Sequence, residues 1–194
     1  MKITRKLILT IQILCFTIIL NAQSNYIESL KRSKEMNFRE RIQFMEGKEI
    51  FEFEGETLSG KILNSKDIEG KVAVIHLWLI SSPSFVTEIE ELNKLVKKYK
   101  DENVEFISLT SESKEDLNEY FIPNYEFKFD IISDCGDLIM KKLNHPFGFP
   151  TTFVVDKQGK INKLMIGGSS DEEEAKENIR LDLIPSIEKC LKGE

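Results

Sequence analysis

The stretch GKVAVIHLWLISSPSFVTEIEELN, residues 70–93, decides the fold of this chain. It opens with a continuous apolar run at 72–78, bounded by Gly70, which is typical of a strand covered on both faces. From Phe85 onward, apolar residues recur at helical spacing and charged residues fill the other positions. The stretch therefore predicts a buried strand that runs directly into an amphipathic helix.

Strand and helix patterns alternate through the rest of the chain. The predicted strands are 104–109, 127–132, 151–155 and 160–166, and the predicted helices begin at Ser113, Gly136 and Glu172. Asp156 to Gly159 form a hairpin turn between the last two strands. Alternating strands and helices imply a parallel sheet with helices on both faces, to which the closing hairpin adds an antiparallel edge. The order predicts an α/β fold with a central mixed sheet.

Two further regions precede the deciding stretch. Short alternating runs at 49–55 and 57–63, separated by a glycine-containing turn, predict an N-terminal β-hairpin. Residues 23–46 are charged and only loosely periodic, which favours a linker or a surface helix. The sequence therefore predicts one folded domain at 47–194.

Residues 1–22 differ in composition from the remainder of the chain. Three basic residues come first, and an apolar run from Leu7 to Leu20 ends just before Ala22, the pattern of a secretory signal peptide. A membrane anchor is the alternative, but a helix of that length spans only about 21 Å of a hydrocarbon core about 30 Å thick. A lipid anchor at Cys15 is disfavoured by the bulky Leu14. We expect export, with no membrane span after cleavage.

The charge balance argues against nucleic acid and anionic lipid as partners. The whole chain has a formal net charge of -6, and removal of residues 1–22, which hold three basic and no acidic groups, leaves -9. Such a surface repels phosphates and anionic headgroups, so nucleic acid is not an expected partner.

Two segments carry a resemblance to a known family. Residues 70–93 resemble the active-site stretch of TlpA/ResA-like redoxins, where a strand of type GKVVVINFW is followed by a CPPC turn and a helix. Residues 145–160, HPFGFPTTFVVDKQGK, resemble the family's G-x-P-T-T-F-x-x-D-x-x-G element, whose proline is cis and faces the redox motif. The resemblance spans residues 46–168 and implies a thioredoxin-like fold with a cis Pro150.

The departure from the family pattern lies in the turn itself. The two redox cysteines of the family fall on Ser82 and Phe85, within the sequence Ser82-Pro83-Ser84-Phe85. Disulfide exchange needs a thiolate that attacks sulfur and a second thiol that resolves the mixed disulfide. A serine hydroxyl and a phenyl ring can do neither. We expect Phe85 to fill the space of a buried cysteine in the core.

The resemblance also marks a groove. In redox-active relatives the substrate polypeptide lies against the cis-proline loop, which here implies a groove near Trp78, Pro83, Phe149 and Pro150. Glu88 matches a partly buried glutamate implicated in proton transfer in ResA-like members, although a solvated helix face explains it equally well. The hypothesis is that an extended peptide or an envelope protein binds in this groove.

The remaining chemical candidates are few. Cys135 precedes a predicted helix, whose N-terminus favours a thiolate, but Asp134 and Asp137 oppose it. A Cys135–Cys190 disulfide stays open, because the sequence does not place the two residues within reach of each other. Two histidines without clustered cysteines form no metal pattern, and no cofactor is expected.

Two functions follow from these observations. The first is a redox-inactive binding or scaffold module in the cell envelope or periplasm of a bacterium. The alternative is a thiol-disulfide oxidoreductase or thiol peroxidase that works through Cys135.

Overall fold

A computed structural model describes residues 25–193, and the predicted leader at 1–22 lies outside the described residues. The strands are β1 (Glu54–Glu56), β2 (Ile62–Asn64), β3 (Val72–Trp78), β4 (Val104–Thr110), β5 (Asp130–Ile132), β6 (Thr151–Val155) and β7 (Ile161–Ile166). The helices are α1 (25–32), α2 (Phe38–Met45), α3 (Pro83–Lys98), α4 (Lys114–Asp116, extended by π-helical Leu117–Phe121), α5 (π-helical Asp137–Lys142), α6 (Glu172–Asn178) and α7 (Ile184–Lys192). A π-helical segment, Ile179–Leu183, joins α6 to α7.

The central sheet has five strands in the order β5-β4-β3-β6-β7. β3 is parallel to β4, and β4 is parallel to β5, whereas β6 is antiparallel to both β3 and β7. β1 and β2 form a separate antiparallel hairpin. The mixed sheet with an antiparallel edge is therefore confirmed, and the arrangement is thioredoxin-like. The N-terminal hairpin is present, but its strands lie at 54–56 and 62–64, so its turn falls at 57–61, later in the chain than predicted.

Apolar side chains form one core on each face of this sheet. Every residue of β3 is buried, because the strand lies at the centre of the sheet and both of its faces are covered. α1, α2 and α5 cover one face, where they contribute Tyr26, Met45 and Ile139. α3, α4 and α7 cover the other, where Phe85 and Ile187 are fully buried.

The segment before the domain is helical, as one of its two predicted alternatives had it, but it is not confined to the surface. Its described part is not a linker but two helices, α1 and α2, of which α2 begins with a reciprocal capping box between Asn37 and Glu40. Tyr26, Leu30 and Met45 are buried in the core. The loose periodicity of residues 23–46 concealed these contacts, because each short helix buries only one or two side chains.

Several local signals behave as expected. Asp171 accepts a hydrogen bond from the Glu174 N–H at the start of α6, and Ser113 accepts one from the Asp116 N–H at the start of α4. The fifth strand is shorter than predicted. It begins at Asp130 rather than at 127, because only its last three residues pair with β4.

No helix within residues 25–193 combines the length and the apolar character needed to cross a membrane.

Candidate functional site

The site is built where β3 ends and α3 begins. Ser82 is the N-cap residue of α3 and Pro83 follows in its first turn, a position that tolerates the missing N–H of proline. The Ser82 hydroxyl lies 3.2 Å from the Ser84 hydroxyl. The turn is held from outside by Glu112, whose carboxylate accepts a hydrogen bond of 3.0 Å from the Ile80 N–H. Ser82 thus contacts another hydroxyl and not a base that would activate it.

Phe85 is directed into the protein interior. Its ring is fully buried, 4.3 Å from the Trp78 ring and 5.1 Å from the Phe127 ring between centroids. Trp78 packs in turn on Phe121 at 4.6 Å. We call Trp78, Phe85, Phe121 and Phe127 the aromatic cluster. The prediction that Phe85 packs in the core is confirmed, and the side chain at position 85 has no exposed surface.

The aromatic cluster also corrects the predicted groove. Trp78 has no exposed surface, because Phe85 and Phe121 cover its indole ring, so it cannot line a groove. Pro83 is exposed, Phe149 is half-buried and Pro150 is buried. What remains accessible at this end of the sheet is a shallow surface and not a groove floored by tryptophan.

The loop before β6 carries a cis peptide bond between Phe149 and Pro150. The Pro150 carbonyl accepts a 2.8 Å hydrogen bond from the Gly167 N–H, which ties the loop to the end of β7. Nε2 of His145 lies 3.1 Å from the Gly148 carbonyl and 3.2 Å from the Thr151 hydroxyl. Burial lowers the pKa of His145 to about 4, so its ring is neutral at pH 7. These contacts of His145 with the cis-proline loop were not predicted from the sequence, although its place beside the cis-proline element was a signal.

Glu88 is a buried carboxyl group one turn further along α3. Its side chain belongs to a residue only 8 % exposed, and desolvation raises its pKa to about 8. Gly168 closes over it, since a Cβ at that position would lie 2.5 Å from Oε1 of Glu88. The partly buried glutamate is therefore present, and the alternative of a solvated helix face is wrong.

Glu88 lines a cleft of about 430 Å³ between α2, β7 and the segment that joins α6 to α7. The remaining lining comprises Arg39, Ile42 and Gln43 of α2, the residue Glu46 that caps its C-terminus, residues 163–167 of β7 and its end, and Asn178 and Asp182. The sequence analysis did not predict this cleft, because α2 was not expected to pack beside β7.

The cysteines do not form a reactive site. Cys135 is 7 % exposed, and burial, with a smaller contribution from Asp134, raises the pKa of its thiol to about 12. Its thiol donates a hydrogen bond of 3.4 Å to the Ser133 carbonyl. Burial likewise raises the pKa of Cys190 to about 11. Both thiols are free. They belong to cores on opposite faces of the sheet, so the disulfide that the sequence left open does not form.

Metal chemistry finds no support in the described part of the chain. Within residues 25–193 no group of three histidine, cysteine, aspartate or glutamate side chains is placed to hold a metal ion.

Comparison with known proteins identifies relatives of this chain. The profile of the AhpC/TSA family matches residues 47–164. The thiol-disulfide oxidoreductase ResA of Bacillus cereus is 31% identical over 137 residues, which cover 70% of this chain and 78% of the relative.

Solved structures agree on the fold. A thiol:disulfide interchange protein of the thioredoxin family from Chlorobium tepidum superposes with a TM-score of 0.56 at 18% identity, covering 72% of this chain and 93% of the other. StoA of Bacillus subtilis superposes with a TM-score of 0.52 at 24% identity, and the match covers 65% of this chain and 94% of StoA.

Proposed function

This chain belongs to the AhpC/TSA family of thioredoxin-fold redoxins and is a TlpA/ResA-like member, and from that premise we propose that it is a redox-inactive, exported protein that binds polypeptide segments. Its relatives named above are thiol-disulfide oxidoreductases. The proposal is that this chain keeps their fold and has exchanged their chemistry for binding.

One observation carries the proposal. The two positions that resemble the redox cysteines hold Ser82 and Phe85, and the ring of Phe85 is sealed inside the aromatic cluster. A thiol that begins disulfide exchange must be accessible and ionisable. Cys135 and Cys190 are neither, since both are buried and burial raises the pKa of each. The geometry therefore supports binding over the alternative in which Cys135 is a catalytic thiol.

Hydrolysis by Ser82 has no support either. Its hydroxyl contacts Ser84, and the ring of His76 is fully buried, where Nδ1 pairs with the Thr152 hydroxyl at 2.9 Å. Burial also lowers the pKa of His76 to about 3, so it would be a poor proton acceptor at neutral pH.

The binding surface of this proposal is the end of the sheet near Pro83 and the cis-proline loop. Pro83 is exposed and the ring of Phe149 is half-buried, so an extended segment could contact both. Trp78 is excluded from this surface. The partner remains an extended peptide or an envelope protein, and the leader-like residues 1–22 support its location outside the cytoplasm.

Disulfide reductase activity of the purified protein on insulin tests the loss of chemistry. We expect turnover at the level of the reductant alone for the wild type, for Cys135→Ser and for Cys190→Ser. The double variant Ser82→Cys/Phe85→Cys is the positive control, because it restores both thiols of the family motif, and we expect turnover above the reductant level. Activity in the wild type that disappears in Cys135→Ser would instead establish a one-cysteine enzyme.

A further inference from the structure

We propose that the cleft beside β7 is a second interaction site, in which an extended segment of a partner polypeptide joins the sheet as an added strand with an acidic group facing Arg39. This site is separate from the cis-proline surface and does not depend on it.

β7 is the edge strand of the sheet, so one side of its main chain bonds to β6 and the other faces outward. In an antiparallel pair, hydrogen-bonded and non-bonded residue pairs alternate. The hydrogen bond from the Gly167 N–H to the Pro150 carbonyl marks the Pro150/Gly167 pair as bonded. Given the register Thr151↔Ile166, the amide and carbonyl of Ile166 must therefore point away from β6.

Leu164 confirms this alternation. It lies two residues before Ile166, and its N–H points outward to Oε1 of Glu46 at 3.4 Å. At the start of β7, the outward groups of Ile161 are paired, since its N–H donates to the Lys48 carbonyl and its carbonyl accepts from the Gly47 N–H. The chain thus covers its own edge at Ile161 and in part at Leu164.

The edge beyond Leu164 is left open. Within residues 25–193, the carbonyl of Leu164 and both main-chain groups of Ile166 have no hydrogen-bond partner in the protein. The two of these groups that are furthest apart are separated by about 7 Å along the strand, which is the rise over two strand residues. Unpaired main-chain groups at the edge of a sheet are a template for an added strand, the mode of recognition known as β-augmentation.

The walls of the cleft favour a single strand as the occupant. α2 lies on one side, and the segment that joins α6 to α7 lies on the other. Because helices stand on both sides of the open edge, the edge of a second folded sheet cannot approach it without displacing one of them. A flexible extended segment can enter.

The charges of the walls define the partner further. Lys163 lies between Glu46 at 3.9 Å and Asp182 at 3.6 Å, so its one positive charge is already paired with carboxylates of the chain and is not available to a partner. Glu88 is buried and is mostly neutral at pH 7. Arg39 is exposed, and none of the carboxylates in the described part of the chain forms an ion pair with it. A carboxylate on the entering segment would supply the missing partner.

Proline substitution separates main-chain pairing from side-chain contact. Ile166→Pro removes the outward N–H, and proline is tolerated on an edge strand where the N–H faces solvent. Ile166→Ala is the matched control, because it shortens the side chain and keeps the N–H. Arg39→Gln removes the unpaired charge and keeps a polar side chain of similar reach.

The probe is a displayed library of random twelve-residue peptides selected on the immobilised wild-type protein. We expect enriched peptides to carry an acidic residue and to bind Ile166→Ala within about threefold of the wild type. Ile166→Pro should weaken them about tenfold or more, as expected for loss of a main-chain hydrogen bond together with the fit of the strand. Arg39→Gln should weaken them to a smaller extent, and added salt should reduce that difference.

Amide hydrogen exchange of the wild type gives an independent readout that needs no folded proline variant. In the free protein, the Ile166 amide should exchange faster than the Met165 amide, which bonds to β6. A bound peptide should slow exchange at Ile166 about tenfold or more and leave Met165 unchanged.

Three outcomes overturn the inference. One is a library without enrichment over the blank support. Another is a set of peptides that bind Ile166→Pro like the wild type but are lost on Phe149→Ala, which would assign binding to the cis-proline surface alone. The third is a dimer that Ile166→Pro dissociates, because the edge would then be occupied by a second copy of this chain.

Discussion

The β3–α3 junction and the outer edge of β7 differ in which groups they leave without a partner in the fold. At the junction, where the family resemblance places a reactive pair of thiols, the chain closes the site with its own side chains, and Phe85 and Trp78 have no exposed surface. At the edge, three main-chain groups of Leu164 and Ile166 face a cleft and have no hydrogen-bond partner within residues 25–193. The difference lies in what each region presents: the junction exposes side-chain surface at Pro83 without an accessible thiol, whereas the edge presents unpaired main-chain groups.

The largest expected effect separates an accessible thiol from the buried ones. In Ser82→Cys the new thiol lies at the N-terminus of α3, half-exposed, where the helix dipole favours a thiolate. With the pKa of Cys135 raised to about 12, its thiolate fraction at pH 7 is on the order of a thousandfold lower than that of an ordinary cysteine. We expect iodoacetamide labelling, followed by mass spectrometry, to modify position 82 faster by at least that order.

The control for this prediction is labelling in denaturant, where the thiols at positions 82, 135 and 190 should react at similar rates. Rapid labelling of Cys135 in the native wild type would contradict the conclusion that this buried thiol is unreactive.

The second effect measures how tightly the junction is closed. Phe85→Ala removes a fully buried ring from the aromatic cluster and should lower the free energy of unfolding by about 3–5 kcal/mol. Ser82→Ala, three residues away, should change it by less than about 0.5 kcal/mol, because the Ser82 side chain makes no capping hydrogen bond. Urea unfolding followed by circular dichroism measures both. Similar small losses for the two variants would show that Phe85 is not a core residue.

The third effect is smaller and depends on pH. The pKa of Glu88 is raised from 4.5 to about 8 in the folded state, so the folded protein binds this proton more tightly than the unfolded chain. Glu88 therefore costs no stability below about pH 4.5, and its cost grows as the pH rises to about 8. Glu88→Gln removes that cost.

Thermal unfolding of the wild type and of Glu88→Gln at several pH values tests this sign. The melting temperature of the variant should rise relative to that of the wild type between pH 4.5 and pH 8. Outside that window the difference between the two melting temperatures should be constant. Glu90→Gln is the matched control, because Glu90 is an exposed carboxyl group of the same helix. A difference between wild type and Glu88→Gln that does not vary with pH would place Glu88 in water and open the cleft further than the structure indicates.

Much of the fold was predictable because its signals are local. The apolar run at 72–78 requires cover on both faces, and the turn at 156–159 requires the glycine at its end, which has a φ of +76°. Capping by Ser113 and Asp171 depends on side chains within one helical turn. The absence of thiols at 82 and 85 is likewise a property of the sequence alone.

What the sequence could not decide depends on contacts between distant segments. Trp78 is an apolar residue at the end of a strand, and only the rings of Phe85 and Phe121, brought together by packing, remove it from the surface. Glu88 fits a solvated helix face by spacing, and its burial depends on Gly168, eighty residues further along the chain. The open edge at Ile166 has no local signature, because the direction of its main-chain groups follows from pairing with β6. The sequence determined the order of elements and the absence of thiols at positions 82 and 85, since both are written in neighbouring residues. The tertiary structure alone decided which groups are sealed and which stay open, since burial and hydrogen-bond pairing arise only when remote parts of the chain meet.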